Sequence, residues 1–282
     1  MKKLFTLCLL AFAAGVIQLH ANFTVTSGDY KVTFNGYKTI QTISYKNVVI
    51  CNGNGYNATI VILPSIPEVK GPRFIGSGHK EGGVEKILSL EVITDGVSDT
   101  NPGRKVFNGN NVKVIRISQC DKLKVTYTIE VSADGVKVSS QIEALENQAL
   151  AGIYVHQFCF TEKTTEWIAR MHNDAMFSGK FESKGAFHLH RTALRTLWFA
   201  MYIPESQIGF TAILDDDTAM AGGCRFWDRS NSHKLYYQPG FAKELQAGWK
   251  SMVYTMTIKG FTAPEASWKA AAEEQAEGGV EE

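Results

Sequence analysis

Apolar and polar residues alternate with period two along most of this chain. Tyr30-Lys-Val-Thr-Phe34 alternates in this way, the spacing that puts successive side chains on opposite faces of a strand. Asn35-Gly36 follows it, a pair suited to a tight hairpin turn. Thr39 to Ile50 continues in strand style until Asn52-Gly53-Asn54-Gly55 interrupts it. Val112 to Ile117, Leu123 to Val131 and Val136 to Leu145 alternate in turn, separated by Cys120-Asp121-Lys122 and Ala133-Asp134-Gly135. They predict a three-strand meander with one face buried. Further strands are expected at Gly152–Phe160, Thr196–Ile203, Gly209–Leu214, His233–Tyr237 and Ser251–Ile258. No useful helix-period stretch occurs before Pro264. Beyond it, Glu265 to Ala276 is rich in Ala and Glu and predicts a short C-terminal helix, stopped by Gly278-Gly279, with Trp268 as its anchor. So many strands in one chain imply an all-β fold, a large antiparallel two-sheet sandwich ending in a short helix.

The N-terminus has a different pattern. Met1-Lys2-Lys3, the apolar run Leu4 to Ile17 and the small residue Ala21 make up a secretory signal. The run is shorter than the ~20 residues that a permanent membrane span needs. Cleavage after Ala21 would leave a sandwich domain at 22–263 and a C-terminal helix with an acidic tail at 264–282, in a secreted or periplasmic protein. Hydrophobic content of 44% and charged content of 20% describe a globular protein with a real core. A net charge of +1 excludes electrostatic capture of nucleic acid or acidic membrane as the main activity. Cys51, Cys120, Cys159 and Cys224 allow two disulfides in an exported chain, with the pairing open. Cys159, within the apolar strand Tyr154–Phe160, equally suits a free buried thiol.

Four regions could carry chemistry. In Gly76-Ser-Gly-His79-Lys-Glu81-Gly-Gly83, glycines on both sides let the backbone turn sharply around a His and a Glu suited to acid/base work. His156 lies in an apolar strand, where period two puts it on one face with Tyr154 and Phe158, an arrangement that would suit a sugar. Trp167 to Arg195 holds Arg170, His172, His188, His190, Arg191 and Arg195. His188 and His190 share a strand face, which would suit a metal or an acidic sugar, but no convergent carboxylate is identifiable and no metal is expected. The aromatic residues Trp198, Tyr202, Trp227, Tyr236, Tyr237 and Trp249 could stack on pyranose rings or fill the core. No nucleophile elbow, P-loop or dinucleotide fingerprint occurs, and no cofactor is expected.

The order of these motifs resembles the galactose mutarotase-like (aldose 1-epimerase) β-supersandwich family. Gly78-His79-Lys-Glu-Gly-Gly83 is similar to that family's His-Gly-Gly loop, and His156 falls where its second histidine follows a paired strand. Leu235-Tyr236-Tyr237-Gln238 and the stretch from Leu245 to Phe261 are similar to its closing strands. The resemblance implies a sugar held on a concave sheet face by His79 and His156. It also implies a catalytic Glu at the position that Tyr236 occupies here. A tyrosine, with a pKa near ~10, is no resting base at neutral pH, so ordinary mutarotation is not expected. The expectation is a secreted protein that binds or processes an oligo- or polysaccharide, with Arg73, Arg170, Arg191 and Arg195 available to neutralise a carboxylate if the sugar is acidic. His79, His156 and Tyr236 would be the reacting groups, as in a β-eliminating lyase or a divergent epimerase. Arg73, Glu81, Arg170, His172, Arg191, Trp198 and Trp249 would bind substrate. The alternative is a structural or surface-assembly module that kept the sandwich and lost the site.

Overall fold

The computed structural model describes residues 23–69, 71–183, 185–189 and 195–278; the expected signal segment lies outside them. The chain opens with an antiparallel run of β1 (Thr24–Ser27), β2 (Tyr30–Phe34), β3 (Ile40–Tyr45) and β4 (Val48–Leu63), with β5 (Arg73–Ile75) paired to the end of β4. Asn35 makes the β2–β3 turn by accepting the backbone N–H groups of Tyr37 and Thr39 on its side-chain oxygen. β6 (Lys86–Thr94) and β7 (Val97–Asp99) begin a second sheet, and β8 (Val106–Asn108) returns to pair in parallel with β1. The expected meander is present as β9 (Asn111–Cys120), β10 (Leu123–Ser132) and β11 (Gly135–Ala144), in unbroken antiparallel register. β12 (Gln148–Ala149) forms a small ribbon with a later strand, and β13 (Gly152–Phe160) enters the middle of the first sheet.

β14 (Glu166–Met171) and β15 (Met176–Lys180) extend the second sheet, and β16 (Gly185–His188) forms the edge of the first. β17 (Thr196–Ile203) and β18 (Ile208–Leu214) then lead through helix α1 (Asp216–Ala221) to β19 (Gly222–Arg229) and β20 (Ser232–Pro239). β21 (Glu244–Leu245), β22 (Tyr254–Thr262) and helix α2 (Trp268–Glu277) complete the chain. Two ten-stranded sheets result, one running β16-β19-β20-β13-β4-β3-β2-β1-β8 with β5 to the side, the other β15-β14-β17-β18-β22-β11-β10-β9-β6-β7. One continuous apolar layer fills the space between them, including Phe34, Val125, Phe158, Phe160, Phe210, Phe226 and Tyr237.

Three local expectations are corrected. Asn52 to Gly55 does not end a strand, because β4 continues through it with shifts of register against β3. The break falls earlier, at Lys46-Asn47, where both residues take positive φ. A helix does precede Pro264: α1 forms because the Asp215 side chain caps the Thr218 N–H. Among the described residues no disulfide forms either, since Cys51, Cys120, Cys159 and Cys224 are buried free thiols. Helix α2 lies where expected, with Trp268 only 2% exposed and stacked on Tyr202 at 5.3 Å on the outer face of the second sheet.

Candidate functional site

The outer face of the first sheet, opposite the shared core, has an unusual composition. Within β19, Cys224, Phe226 and Asp228 point inward, so period two turns Arg225, Trp227 and Arg229 outward. Within β20, Leu235 and Tyr237 are core residues, so Lys234 and Tyr236 share that outer face. The ladder registers place Arg225 beside Tyr236, Tyr236 beside Gln157, Trp227 beside Lys234 and Lys234 beside Cys159.

These side chains form one cluster. The Arg225 guanidinium lies 5.2 Å from the Tyr236 ring centre, and its Nη2 donates to the Tyr154 hydroxyl at 3.2 Å. The Tyr154 and Tyr236 rings are 4.5 Å apart. Lys234 Nζ sits 5.5 Å from the Tyr236 ring centre, and Arg229 lies over Trp227 at 4.9 Å. Trp227 is 42% exposed, so a broad apolar ring faces solvent between the charged groups. Burial pushes the Tyr236 phenol well above its ordinary range, so it stays protonated at neutral pH. Burial also pulls the Lys234 ammonium down, and the Arg229 charge adds to that fall. Asp228, the carboxylate of this hairpin, is turned away and accepts from His233 Nδ1 at 2.9 Å and from the backbone of Glu182 and Ser183.

The Gly76–Gly83 loop packs on the same sheet face. A Cβ built on Gly76 would lie 2.6 Å from the Thr59 carbonyl, and one on Gly78 would lie 2.7 Å from the Tyr37 ring, so glycine is required for this close approach. His79 rests against Phe74 at 5.2 Å, with Nδ1 3.2 Å from a Glu81 oxygen. Burial lowers the His79 pKa, Glu81 opposes the fall, and the nearby Lys234 charge deepens it. His79 is therefore neutral at pH 7. Its Nδ1–H donates to Glu81, and Nε2 carries the lone pair.

His79 and Tyr236 thus share Lys234 as a neighbour, the first through its charge and the second through its ring, but His156 does not join them. Strict alternation predicts one face for Tyr154, His156 and Phe158, and a β-bulge breaks it. Tyr154 pairs with Ile60 and Gln157 with Ala58, so Val155 and His156 together oppose Thr59, and both turn inward. His156 is 0% exposed and its ring lies 5.9 Å from that of the core residue Tyr237. Neither ring nitrogen makes a hydrogen bond. The Tyr254 backbone is near enough to favour the proton slightly, but burial dominates and pushes the pKa down to about 3.

Other expected binding residues are elsewhere. Arg170 and Trp198 lie on the second sheet, where Trp198 is covered by the packing around α2 and Arg170 pairs with Glu277 and Asp174. His172 accepts the Arg195 backbone N–H on Nδ1 in the turn after β14. Trp249 packs beside Phe241 against the core. Arg73 donates to the Pro64 carbonyl from the face of β5 opposite Phe74. His190 and Arg191 lie outside the described residues, and His188 pairs in register with Arg225. Sequence reasoning passed over Arg225, Arg229 and Lys234. Their signal is the period-two run Arg225-Phe-Trp227-Asp-Arg229, which puts two guanidiniums and an indole on one face. Among the described residues, no three His, Cys, Asp or Glu side chains converge as metal ligands, and no helix is long and apolar enough to cross a membrane.

No protein-family model matches the sequence, and no curated protein does. Solved structures do match. The Slr1438 protein of Synechocystis sp. PCC 6803 superimposes with a TM-score of 0.54 at 8% identity, over 86% of this chain and 96% of that one. A galactose mutarotase-like protein from Lactobacillus casei gives 0.52 at 9% identity, over 86% of this chain and 100% of its own. The galactosidase domain of an alpha-galactosidase–sucrose kinase gives 0.53 at 8% identity, over 87% of this chain and 41% of that one. The chain therefore has the galactose mutarotase-like sandwich fold.

Proposed function

We propose that this chain is an exported carbohydrate-binding protein whose ligand is an acidic oligo- or polysaccharide laid across the outer face of the first sheet. The observation that carries this reading is the cluster of Arg225, Arg229 and Lys234 interleaved with Tyr154, Tyr236 and Trp227, with Asp228 turned away beneath it. Exposed rings stack on the apolar faces of pyranoses, and guanidiniums bind carboxylate or sulfate groups in bidentate fashion. A fold shared with a galactosidase domain and a mutarotase-like protein supports a sugar ligand. The N-terminal signal supports encounter outside the cytoplasm.

The test is a glycan array with the chain from residue 22 onward, followed by calorimetry at two ionic strengths. Uronate or sulfated glycans should bind better than neutral ones, and more weakly as salt rises. Arg225→Gln and Lys234→Gln should each weaken binding by about tenfold, the low end of a charge-assisted hydrogen bond. Equal binding of neutral and acidic glycans would overturn the charge argument. Absence of any glycan binding would favour a structural module that kept the fold.

A second, catalytic reading rests on the neutral His79 oriented by Glu81 and on a protonated Tyr236, both neighbours of Lys234. In a β-elimination, His79 Nε2 would take the proton α to a uronate carboxylate. That electron pair would form the C4–C5 double bond as the C4–O bond breaks, and Tyr236 would protonate the leaving oxygen. The conjugated product absorbs in the ultraviolet. His79→Ala and Tyr236→Phe should each abolish the absorbance change, and unchanged rates would refute the assignment.

A further inference from the structure

The turn that carries His79 is held in a conformation its sequence does not favour. The His79 N–H donates to the Gly76 carbonyl at 3.0 Å, closing a two-residue turn whose central residues, Ser77 and Gly78, have φ of 51° and 98°. Glycine takes positive φ freely, but serine does so only when its surroundings require it. Ser77 is 1% exposed, and two contacts fix it. Its hydroxyl meets that of Thr39 at 2.9 Å, and its N–H donates to Glu85 Oε2 at 2.9 Å.

Glu85 is in turn held from the other sheet. Its Oε1 lies 2.8 Å from Arg116 Nη2, and the Ser118 hydroxyl donates to the same oxygen at 2.7 Å. Arg116 Nη1 donates to Ser118 Oγ at 3.2 Å. Both charged side chains are nearly shut off from water, at 2% and 8% exposure. Stability does not require such a pair, because well-packed apolar replacements of a buried ion pair are often neutral or better. What an apolar side chain cannot do is accept the Ser77 N–H. The pair therefore runs a rigid connection from β9 through Glu85 to the turn at Ser77, two residues before His79.

We propose that Glu85, clamped by Arg116, is a positioning residue that sets the His79 turn over the candidate site. This rests on the preceding reading only in assigning the loop to that site. The test compares the wild-type chain with Glu85→Gln and with the double variant Glu85→Leu/Arg116→Met, which leaves no unpaired buried charge. Three readouts are made on each: His79 titration by NMR, hydrogen exchange at the His79 amide, and affinity for the acidic glycan selected by the array.

In the double variant, unfolding should stay cooperative while the His79 pKa moves up toward its ordinary ~6.5. Amide exchange should rise by about tenfold or more, the sign of a turn that opens locally. Glycan affinity should fall by about tenfold with its salt dependence retained, since the β19 and β20 cations are untouched. Glu85→Gln, which keeps one acceptor oxygen, should lie between the two. A folded double variant with unchanged His79 titration and exchange overturns the proposal whatever its affinity. If the titration and exchange move but the wild type binds no acidic glycan, the positioning role stands and the ligand assignment falls.

Discussion

Replacing His156 by leucine tests the inward turn of β13 through the pH dependence of stability. The wild-type imidazole is wholly buried with both nitrogens unpaired, and its pKa is pushed down to about 3 by burial, against ~6.5 in an unfolded chain. For a base whose folded pKa is depressed, the unfolded state takes up the proton first. Stability is therefore unaffected above ~6.5 and is lost as pH falls below it, by about 1.4 kcal/mol per unit, until the folded pKa is reached. Across the whole interval the loss approaches about 5 kcal/mol, an upper figure because the interior relaxes around a charge. Between about pH 6.5 and about pH 4.5 it is about 3 kcal/mol. His156→Leu removes this dependence at similar volume. It also removes two unpaired polar atoms, which should raise stability at pH 7 by about 1–3 kcal/mol. Urea unfolding at a series of pH values gives both quantities. The other titrating groups are common to the two proteins and cancel in the difference. Parallel curves would mean that His156 reaches water or a partner, and the inward orientation argued from the bulge would be wrong.

Three further outcomes follow from the same geometry. Glu81→Gln should lower the His79 pKa further and Lys234→Met should raise it, since the first group favours the charged ring and the second opposes it; NMR titration giving the opposite order would remove His79 from the β20 cluster. Trp268→Ala should cost about 3–5 kcal/mol, because the indole is 2% exposed and stacked on Tyr202; a loss under about 1 kcal/mol in urea unfolding would show that α2 is not anchored there. Asp228→Asn should cost about 3 kcal/mol by weakening a carboxylate that accepts from His233 and from the Glu182 and Ser183 backbone, and denaturant titration would again measure it.

Much of the architecture was legible because strand formation is local. The β9–β10–β11 meander follows from alternation and turn residues, and β13 and β17 begin and end where the pattern does. Helix α2 follows from composition and Trp268. β4 was misread at Asn52–Gly55 because pairing with β3 and β13 holds a segment that its own residues would bend. The candidate site was half legible. His79 and Glu81 stand out between glycines, and Tyr236 through the family resemblance. Arg225, Trp227 and Arg229 are visible as one strand face, but a period-two pattern cannot say which face looks away from the second sheet.

His156 marks the boundary between the two kinds of information. Alternation alone assigns each residue a side relative to its neighbours, and on that basis His156 belongs with Tyr154. One extra residue in β13 opposite Thr59 reverses every side after it. A bulge is a property of the paired strands, set by how β13 meets β4 and not by the residues of β13 themselves. The sequence therefore determined the central meander, β13, β17 and the short final helix. Only the tertiary structure decided that one histidine faces the candidate site and the other the core.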